Sequence, residues 1–309
     1  MEQGLDWGVY RHNITSQSGE DGVLEKLFET IGVENRWCVE FGAGDGKQNS
    51  NTWNFVNNHG WQAVLMEADR SEFEHLERRY RSNERVRTMQ AIVEKDGASG
   101  LATLLGRTAI PKDLDLLSID IDGDDYHVWE SFEDYRPRVV VVEYNHTIPY
   151  DVSFVQAYQA KVRGGASLSA LRDLGIKKRY RLVYAYGSNA FFVDESIAAK
   201  HEILPATEEE LRAATPTPHP YFQLYDGSIV LWDDSEAISR RARRKKYVET
   251  PVWLGGGNVL TPVSFRREWR VARSIKDVTK RSVFYPKARA WYECFLRRAM
   301  RRVRRIFLL

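Results

Sequence analysis

Glycine occupies every second position in the segment Gly42-Ala43-Gly44-Asp45-Gly46, which directly follows the apolar run Trp37–Phe41. Because glycine has no side chain and accepts positive φ, such a turn lets the backbone approach a bound ligand closely. Glu40 lies just before the turn, where its carboxylate can face a cationic amino group. Dinucleotide-binding turns follow the pattern Gly-x-Gly-x-x-Gly, and here the third glycine comes one position early. We therefore predict an S-adenosylmethionine site at Glu40, Gly42, Ala43, Gly44 and Gly46.

Acidic residues end two further apolar runs. Glu67 ends the run Gln62–Glu67, about 20 residues beyond the last glycine, a position at which a carboxylate typically binds ribose hydroxyls. Asp120 ends the run Leu114–Asp120. Ligands of open α/β sheets bind at the carboxyl ends of the strands, so these acids and the glycine turn predict one cofactor site. The alternative for each acid taken alone is a solvated or helix-capping carboxylate.

A second group of oxygen-bearing side chains surrounds Asp120. Asp122 follows two positions later, and Glu143 and Asn145 lie at the end of the next apolar run, Arg138–Glu143. On adjacent strands these side chains would share one rim, and carboxylate and carbonyl oxygens are the ligands that Mg²⁺ prefers. A metal there could bind a substrate diol and lower the pKa of a hydroxyl group. In the alternative without a metal, Asp120 binds cofactor or substrate directly and the following acids form a turn.

Four side chains near this rim are candidates for a general base. An alcohol that attacks a methyl group must lose its proton, and histidine titrates near neutrality. His127 and His146 both follow the acidic segments, and Asp120 and Asp122 are equal candidates. The alternative for each histidine is a capping or surface role.

Several segments of the chain resemble, in the same order, those of the FkbM-type family of methyltransferases. They are SQSGEDG (16–22), CVEFGAGDGKQNSNTWNF (38–55), AVLMEAD (63–69), DLLSIDIDGDDYHVWE (115–130), RPRVVVVEYNHTIP (136–149) and GSNAFFV (187–193). The resemblance covers about residues 15–195. It implies a Rossmann-like class I methyltransferase fold with S-adenosylmethionine as the methyl donor. It also implies O-methylation, commonly of a hydroxyl on a sugar, a polysaccharide or another secondary metabolite.

The resemblance further implies which residues hold each part of the cofactor. Glu40 would bind its amino group and Glu67 its ribose. Gln17 and Glu20, in the segment before the first strand, would close over its amino-acid end. Its methionine part would lie on Gly42, Gly44 and Gly46.

The acids after the fourth and fifth strands are also similar in position to those of metal-dependent O-methyltransferases. Those enzymes have two adjacent ligands after the fifth strand, whereas Tyr144 separates Glu143 from Asn145 here. The sequence contains no Asn/Asp-Pro-Pro-Tyr motif of the kind found in methyltransferases of exocyclic base amines. It also lacks a Pro-Cys nucleophile near the fourth strand for base C5 chemistry. These absences favour methylation of oxygen.

The elements that would position these residues alternate regularly along the chain. Strands are predicted at 37–41, 62–67, 89–93, 114–120, 138–143, 180–184 and 189–193, and helices at 17–31, 49–59, 71–81 and 167–175. Nearly continuous apolar strands between amphipathic helices indicate a doubly wound, mostly parallel sheet of seven strands whose last two form an antiparallel pair. The methyltransferase domain is predicted at 1–200. A hairpin at 222–232 with an Asp-Gly turn and a basic extension occupy 201–309.

The charge is distributed very unevenly along the chain. Residues 236–309 contain 21 Lys and Arg against 5 Asp and Glu, whereas residues 1–235 contain 24 against 38. In 294–309, an amphipathic helix would place its arginines opposite an apolar face, as helices that bind an anionic membrane surface do. The alternatives are packing on the acidic body or on a second subunit in a homo-oligomer. Nucleic acid is disfavoured as a partner because aromatic residues are sparse beyond Trp291.

The remaining composition indicates where the protein works. The two cysteines, Cys38 and Cys294, do not suggest a disulfide framework, and no run of apolar residues is long enough to span a bilayer. We expect a cytoplasmic protein, peripheral at the inner face of the membrane, with a carbohydrate or glycolipid acceptor. Two other functions stay open: an RNA methyltransferase anchored by the basic tail, and a non-catalytic scaffold with a methyltransferase fold.

Overall fold

A computed structural model describes residues 5–159 and 164–215, and the backbone of 221–223 and 229–231. The strands of the main sheet are β1 (Trp37–Phe41), β2 (Gln62–Glu67), β3 (Val86–Gln90), β4 (Leu116–Ile119), β5 (Val139–Glu143), β6 (Tyr180–Tyr186) and β7 (Asn189–Asp194). The helices are α1 (Glu20–Ile31), α2 (Trp53–Asn57), α3 (Arg70–Tyr80), α4 (Leu101–Leu105), α5 (Asp125–Ser131), α6 (Leu168–Lys177), α7 (Glu195–Lys200) and α8 (Glu208–Ala214). Short 3₁₀ turns lie at Trp7–Tyr10 and Gly97–Ser99.

The seven strands form one sheet in the order β3-β2-β1-β4-β5-β7-β6. The first five are parallel, and β7 is antiparallel to both of its neighbours. The predicted doubly wound sheet and its terminal antiparallel pair are therefore confirmed. Because β7 runs against β5, the chain enters β7 at the edge where β5 ends, and Asn189 lies opposite Glu143.

Both faces of the sheet are covered. On one face, Val39, Phe41 and Leu117 pack in a core that includes Trp129 of α5 and Leu171 of α6. Leu24, Leu27 and Phe28 of α1 belong to the core on the other face, together with Cys38, Leu116 and Val141 of the sheet. Side chains alternate along a strand, so the polar residues Glu40, Ser118 and Glu143 share the α1 face with these neighbours.

Some predicted boundaries differ from the observed ones. β3 was predicted at 89–93 from the apolar residues there, but the strand pairs with β2 from Val86 to Gln90, so only the first two predicted residues belong to it. α1 was predicted from residue 17 but begins at Glu20, since Gly19 takes a left-handed conformation with φ 102°. The helix predicted at 49–59 is confined to Trp53–Asn57. The helices α4, α5, α7 and α8 were not predicted.

The chain after β7 still packs against the core of the main sheet. Leu211 and Ala214 of α8 are buried in the core, and Tyr144 Oη donates to the Ala214 carbonyl oxygen at 3.0 Å. Further on, β8 (Tyr221–Gln223) and β9 (Ile229–Leu231) form an antiparallel pair, as the predicted hairpin requires. The turn of that hairpin and the predicted helix at 294–309 lie outside the described residues. Within the described part of the chain, no helix has the length and apolar character needed to cross a membrane.

Candidate cofactor and acid site

The glycine loop after β1 has the backbone conformation that its sequence predicts. Gly42, Gly44 and Gly46 have φ values of 75°, 51° and 74°. A Cβ on Gly42 would lie 1.7 Å from the carbonyl oxygen of Asp120, so no side chain fits there. A Cβ on Gly44 would have no heavy atom within 4 Å. The loop is thus closed against β4 at Gly42 and open at Gly44, where a ligand can approach the backbone.

The end of β2 holds this loop in place. Ala43 N donates to the Met66 carbonyl oxygen at 3.0 Å, and Gly44 N donates to Glu67 Oε2 at 2.8 Å. Glu67 Oε1 accepts from Asp69 N at 2.7 Å. Glu67 is only partly buried, and each carboxylate oxygen can accept more than one hydrogen bond. It therefore orders the loop and still has acceptor capacity for hydroxyl groups.

The carboxylate of Glu40 is hydrogen-bonded to other residues of the protein. Its carboxylate accepts from Ser50 Oγ at 2.6 Å, from Asn51 N at 2.7 Å and from Thr52 Oγ1 at 2.7 Å. Burial raises the pKa of Glu40, and these hydrogen bonds oppose the rise. Both carboxylate oxygens of this buried side chain thus already accept hydrogen bonds from the protein. Its visible role is to hold the 50–52 segment, whose Asn51 also donates to Ser118 Oγ of β4 at 3.1 Å.

Three of the predicted rim acids come together. Asp120, Asp122 and Glu143 each contribute one oxygen to a group whose members lie within 4.8 Å of one another. Burial raises the pKa of Asp120 to about 6, with a further contribution from the charge of Asp122. Burial, and then the charge of Asp120, holds the pKa of Glu143 well above its usual range. The group is a set of hard oxygen ligands whose mutual repulsion a cation would relieve.

The loop between β4 and α5 shapes this acid group. Asp122 has a left-handed conformation with φ 57°. Asp125, at the start of α5, accepts from Ile121 N and from Gly123 N at 2.8 Å each. Burial raises the pKa of Asp125 to about 7. The carboxyl of Asp125 thus closes the loop from within, while Asp122 stays exposed.

The fourth predicted metal ligand and the two histidines are engaged differently. Asn145 Oδ1 accepts from Thr147 N at 3.1 Å and so takes part in its own loop. His127 Nε2 hydrogen-bonds to the Gln156 carbonyl oxygen at 2.7 Å, and its ring lies edge-on to Tyr158. The side chain of His146 is exposed, although partial desolvation by the surrounding protein lowers its pKa. Asp120 is the candidate base with both partial burial and a raised pKa.

The segment before α1 lies at the same edge of the sheet. Gln17 is exposed, and its carbonyl oxygen accepts from Asn13 Nδ2 at 3.2 Å. Glu20 is buried and accepts from Ser18 N at 2.6 Å and from Asn189 Nδ2 at 2.9 Å. The structure therefore places Glu20 against the start of β7, and the charge of Glu20 contributes to the raised pKa of Asp120.

Two residues of this region were missed by sequence reasoning. Asp21 Oδ2 accepts from the backbone N of Ile14, Thr15 and Ser16 at 2.7–2.8 Å, and so holds the segment before α1. Asn189 contacts Glu20 and lies opposite Glu143. The one signal for Asn189 was a polar residue at the start of the apolar run NAFFV.

No protein-family model matches the sequence, and no curated protein matches it. Similar solved structures are distant. M. capricolum TrmK, in complex with S-adenosyl-homocysteine, has 9% identity over 89% of this chain and 96% of its own, with a TM-score of 0.35. The N-terminal domain of EvdMO1, in the presence of SAH and D-fucose, has 11% identity over 56% and 80%, with a TM-score of 0.38. An S-adenosylmethionine-dependent methyltransferase from Clostridium acetobutylicum ATCC 824 has 7% identity over 61% and 91%, also at 0.38.

The order and directions of the strands define the class of fold. Five parallel strands with β1 beside β4, and a reversed β7 inserted between β5 and β6, form the Rossmann-like sheet of class I methyltransferases. The glycine loop directly follows β1. The predicted fold class is therefore confirmed, whereas membership of the FkbM-type family stays a prediction.

Proposed function

We propose that the protein is an S-adenosylmethionine-dependent O-methyltransferase. The acceptor is a hydroxyl of a sugar, a polysaccharide or glycolipid, or a related secondary metabolite. The observation that carries the proposal is the close approach of the glycine loop to the backbone of Asp120, made where Gly42 lies against the Asp120 carbonyl oxygen. A cofactor on the loop and an acceptor at the acids would then be neighbours at one edge of the sheet.

The loop and its surroundings suit the cofactor. Gly44 leaves the backbone open to a ligand, and Glu67 at the end of β2 can accept from ribose hydroxyls in addition to Gly44 N. Once bound, the cofactor supplies an electrophilic methyl group. The chain's contribution is to orient the acceptor oxygen in line with that methyl group and to remove the hydroxyl proton.

The acid group suits both the cation and the proton transfer. Asp120, Asp122 and Glu143 would hold Mg²⁺, which would stabilise negative charge on the acceptor oxygen. The carboxylate of Asp120 would accept the proton that the acceptor hydroxyl loses. Bound S-adenosylmethionine would supply the methyl group to the acceptor oxygen, and its sulfur would leave as the thioether of S-adenosylhomocysteine. Asp120 is thus the proposed general base.

The nature and location of the acceptor are proposed on the sequence. A carbohydrate offers vicinal hydroxyls to the acid group, and the FkbM-type resemblance implies such acceptors. The arginine-rich segment 294–309, which lies outside the described residues and is predicted from sequence to be helical, would hold the protein at the inner face of the membrane. A polysaccharide or glycolipid assembled there would reach the site.

Calorimetry with S-adenosylmethionine and S-adenosylhomocysteine is the first test. We expect binding of both, and no binding of either would contradict the proposed function. Asp120→Asn should retain cofactor binding and lose methyl transfer, because the proposed base is removed while the loop is intact. Asp134→Asn, at an exposed acid, is the matched control. Mass spectrometry of surface glycans with and without the protein would identify the acceptor.

A further inference from the structure

Asn189, the first residue of β7, has a polar atom without a partner. Its side chain is 4% exposed, and its Nδ2 donates to Glu20 Oε1 at 2.9 Å. A carboxylate only accepts, so this contact fixes the orientation of the amide. Asn189 Oδ1 is then buried, and no donor reaches it from the described residues. Buried acceptors are nearly always paired, so an unpaired one at a ligand site points to a group of the ligand.

The surroundings of Asn189 indicate what kind of group this is. Asn189 lies directly opposite Glu143 in the antiparallel β5–β7 pair, on the α1 face of the sheet. The charged groups that act on Asp120 and Glu143 are all acidic, and Glu20 is among those that act on Asp120. A ligand group that donates hydrogen bonds could pair with Asn189 Oδ1, and a positive charge on that group would be attracted by the neighbouring acids.

We propose that Asn189 and Glu20 together bind the α-ammonium group of S-adenosylmethionine. Asn189 Oδ1 accepts one of its three N–H groups, and Glu20 accepts a second through a remaining lone pair. This inference deepens the proposed function and rests on it. Asn189 is then a cofactor-binding residue, and together with Glu20 it recognises the amino-acid end of the cofactor.

The segment before α1 lies beside the Glu20–Asn189 pair. Ser18 N donates to Glu20 Oε2, and Ser18 also lies against the turn before β7, since a Cβ on Gly187 would come within 2.7 Å of Ser18 Oγ. Because Asn189 Oδ1 is buried, we expect the stretch around Ser18 to shift when the cofactor binds.

The test compares two ligands that differ at the amino-acid end. S-Adenosylhomocysteine carries the α-ammonium group, and 5′-methylthioadenosine lacks the whole amino-acid part. Asn189→Leu has a similar branched shape, with a larger volume, and removes both polar atoms of the amide. We expect this variant to bind S-adenosylhomocysteine about tenfold more weakly or worse, since a hydrogen bond to a charged group is lost, and to bind 5′-methylthioadenosine like the wild type.

Asn54→Leu is the matched control. Asn54 is also buried, and its Nδ2 donates to another α1 glutamate, Glu25, at 2.8 Å. The variant Asn54→Leu should change thermal stability without changing the affinity for S-adenosylhomocysteine or for 5′-methylthioadenosine. Glu20→Gln is the second variant, for use where Asn189→Leu does not fold, and it should selectively weaken S-adenosylhomocysteine because the negative charge is gone.

Three results would overturn the inference. Unchanged affinity of Asn189→Leu for S-adenosylhomocysteine, or an equal loss of affinity for both ligands, would contradict a specific contact between Asn189 and the ammonium group. A loss of Mn²⁺ binding without any loss of S-adenosylhomocysteine binding would assign Asn189 Oδ1 to the cation instead. If the wild type binds neither nucleoside, the proposed function itself fails. These outcomes separate the two proposals.

Discussion

Gly42 in the loop after β1 lies against Asp120 at the end of β4, so closely that a Cβ on the glycine would come within 1.7 Å of the carbonyl oxygen of Asp120. The two residues directly follow adjacent parallel strands, and Asp120 N in turn donates to the Phe41 carbonyl oxygen at 3.4 Å. The loop that would hold the cofactor and the acid that would serve the acceptor are therefore fixed to each other through backbone atoms.

Replacing Gly42 should damage both the fold and the site. In Gly42→Ala, the new Cβ must displace backbone of β4, and a residue with a side chain is also disfavoured at φ 75°. We expect a loss of about 3 kcal/mol or more in the free energy of unfolding, measured with urea.

Gly60→Ala is the control for this change. Gly60 has φ 70°, and a Cβ on it would have no heavy atom within 4 Å. That variant should lose only the cost of the left-handed backbone, about 1–2 kcal/mol. Equal losses for the two variants would mean that the contact with Asp120 adds nothing.

Glu40 provides a second test, because its predicted role and its observed contacts differ. Its carboxylate accepts three hydrogen bonds from the 50–52 segment. Glu40→Ala leaves buried donors unpaired, and we expect a loss of about 2–4 kcal/mol in the free energy of unfolding. Glu29→Ala, at an exposed position of α1, should change it by less than about 0.5 kcal/mol. A stable Glu40→Ala protein that fails to bind S-adenosylhomocysteine would instead favour the predicted contact with the amino group.

The sequence was most informative where a residue's role depends on its own strand. The apolar runs located β1, β2, β5 and β7 to within a residue or two, and the polar residues that end them were correctly placed at one edge of the sheet. Asp120, Asp122 and Glu143 meet as predicted, because parallel strands in register bring their carboxyl ends together. The conformation of the glycine loop follows from residue type alone.

Contacts between distant segments were not predictable in this way. Glu20 and Asn189 are 169 positions apart and meet only once β7 is reversed and placed beside β5. Asn145 and Glu143 are two residues apart, yet the turn to Thr147 takes up the Asn145 oxygen. Spacing in the sequence therefore identified the acids of the site and missed the neutral side chain that lies beside them.

The acid group should bind a divalent cation. Mn²⁺, followed by electron paramagnetic resonance, reports binding without any need for activity. We expect Asp122→Asn to weaken Mn²⁺ about tenfold or more, since one of three charged ligands is lost, while thermal stability is little changed at this exposed residue. Asp134→Asn should bind like the wild type.

Activity provides the complementary measurement for the cation. A chelator should abolish methyl transfer, and added Mg²⁺ should restore it. Full activity in the presence of the chelator would contradict the metal-assisted reaction and leave Asp120 as a metal-free base.

Asp194, at the end of β7, should make stability depend on acid pH. Its Oδ1 caps α7 by accepting from Ser196 N at 2.9 Å, and Oδ2 accepts from Arg136 Nε at 2.6 Å. Burial alone would raise the pKa of Asp194, but the hydrogen bonds from Ser196 and the charge of Arg136 outweigh it and lower the pKa below 3.8. The unfolded chain therefore binds this proton more tightly than the folded one. The stabilisation is present above about pH 4 and is lost as the pH falls through the folded-state pKa.

Urea unfolding of the wild type and of Asp194→Asn at pH 7, 5 and 3 measures this contribution. The amide keeps the side-chain volume and one acceptor but has no charge for Arg136, so the variant should be less stable by about 1–3 kcal/mol at pH 7 and at pH 5. The difference should shrink at pH 3, because the wild-type carboxylate begins to be protonated there. Asp134→Asn should follow the wild type at all three values. A difference for Asp194→Asn that is constant from pH 7 to pH 3 would show that its effect comes from the cap geometry and not from the charge.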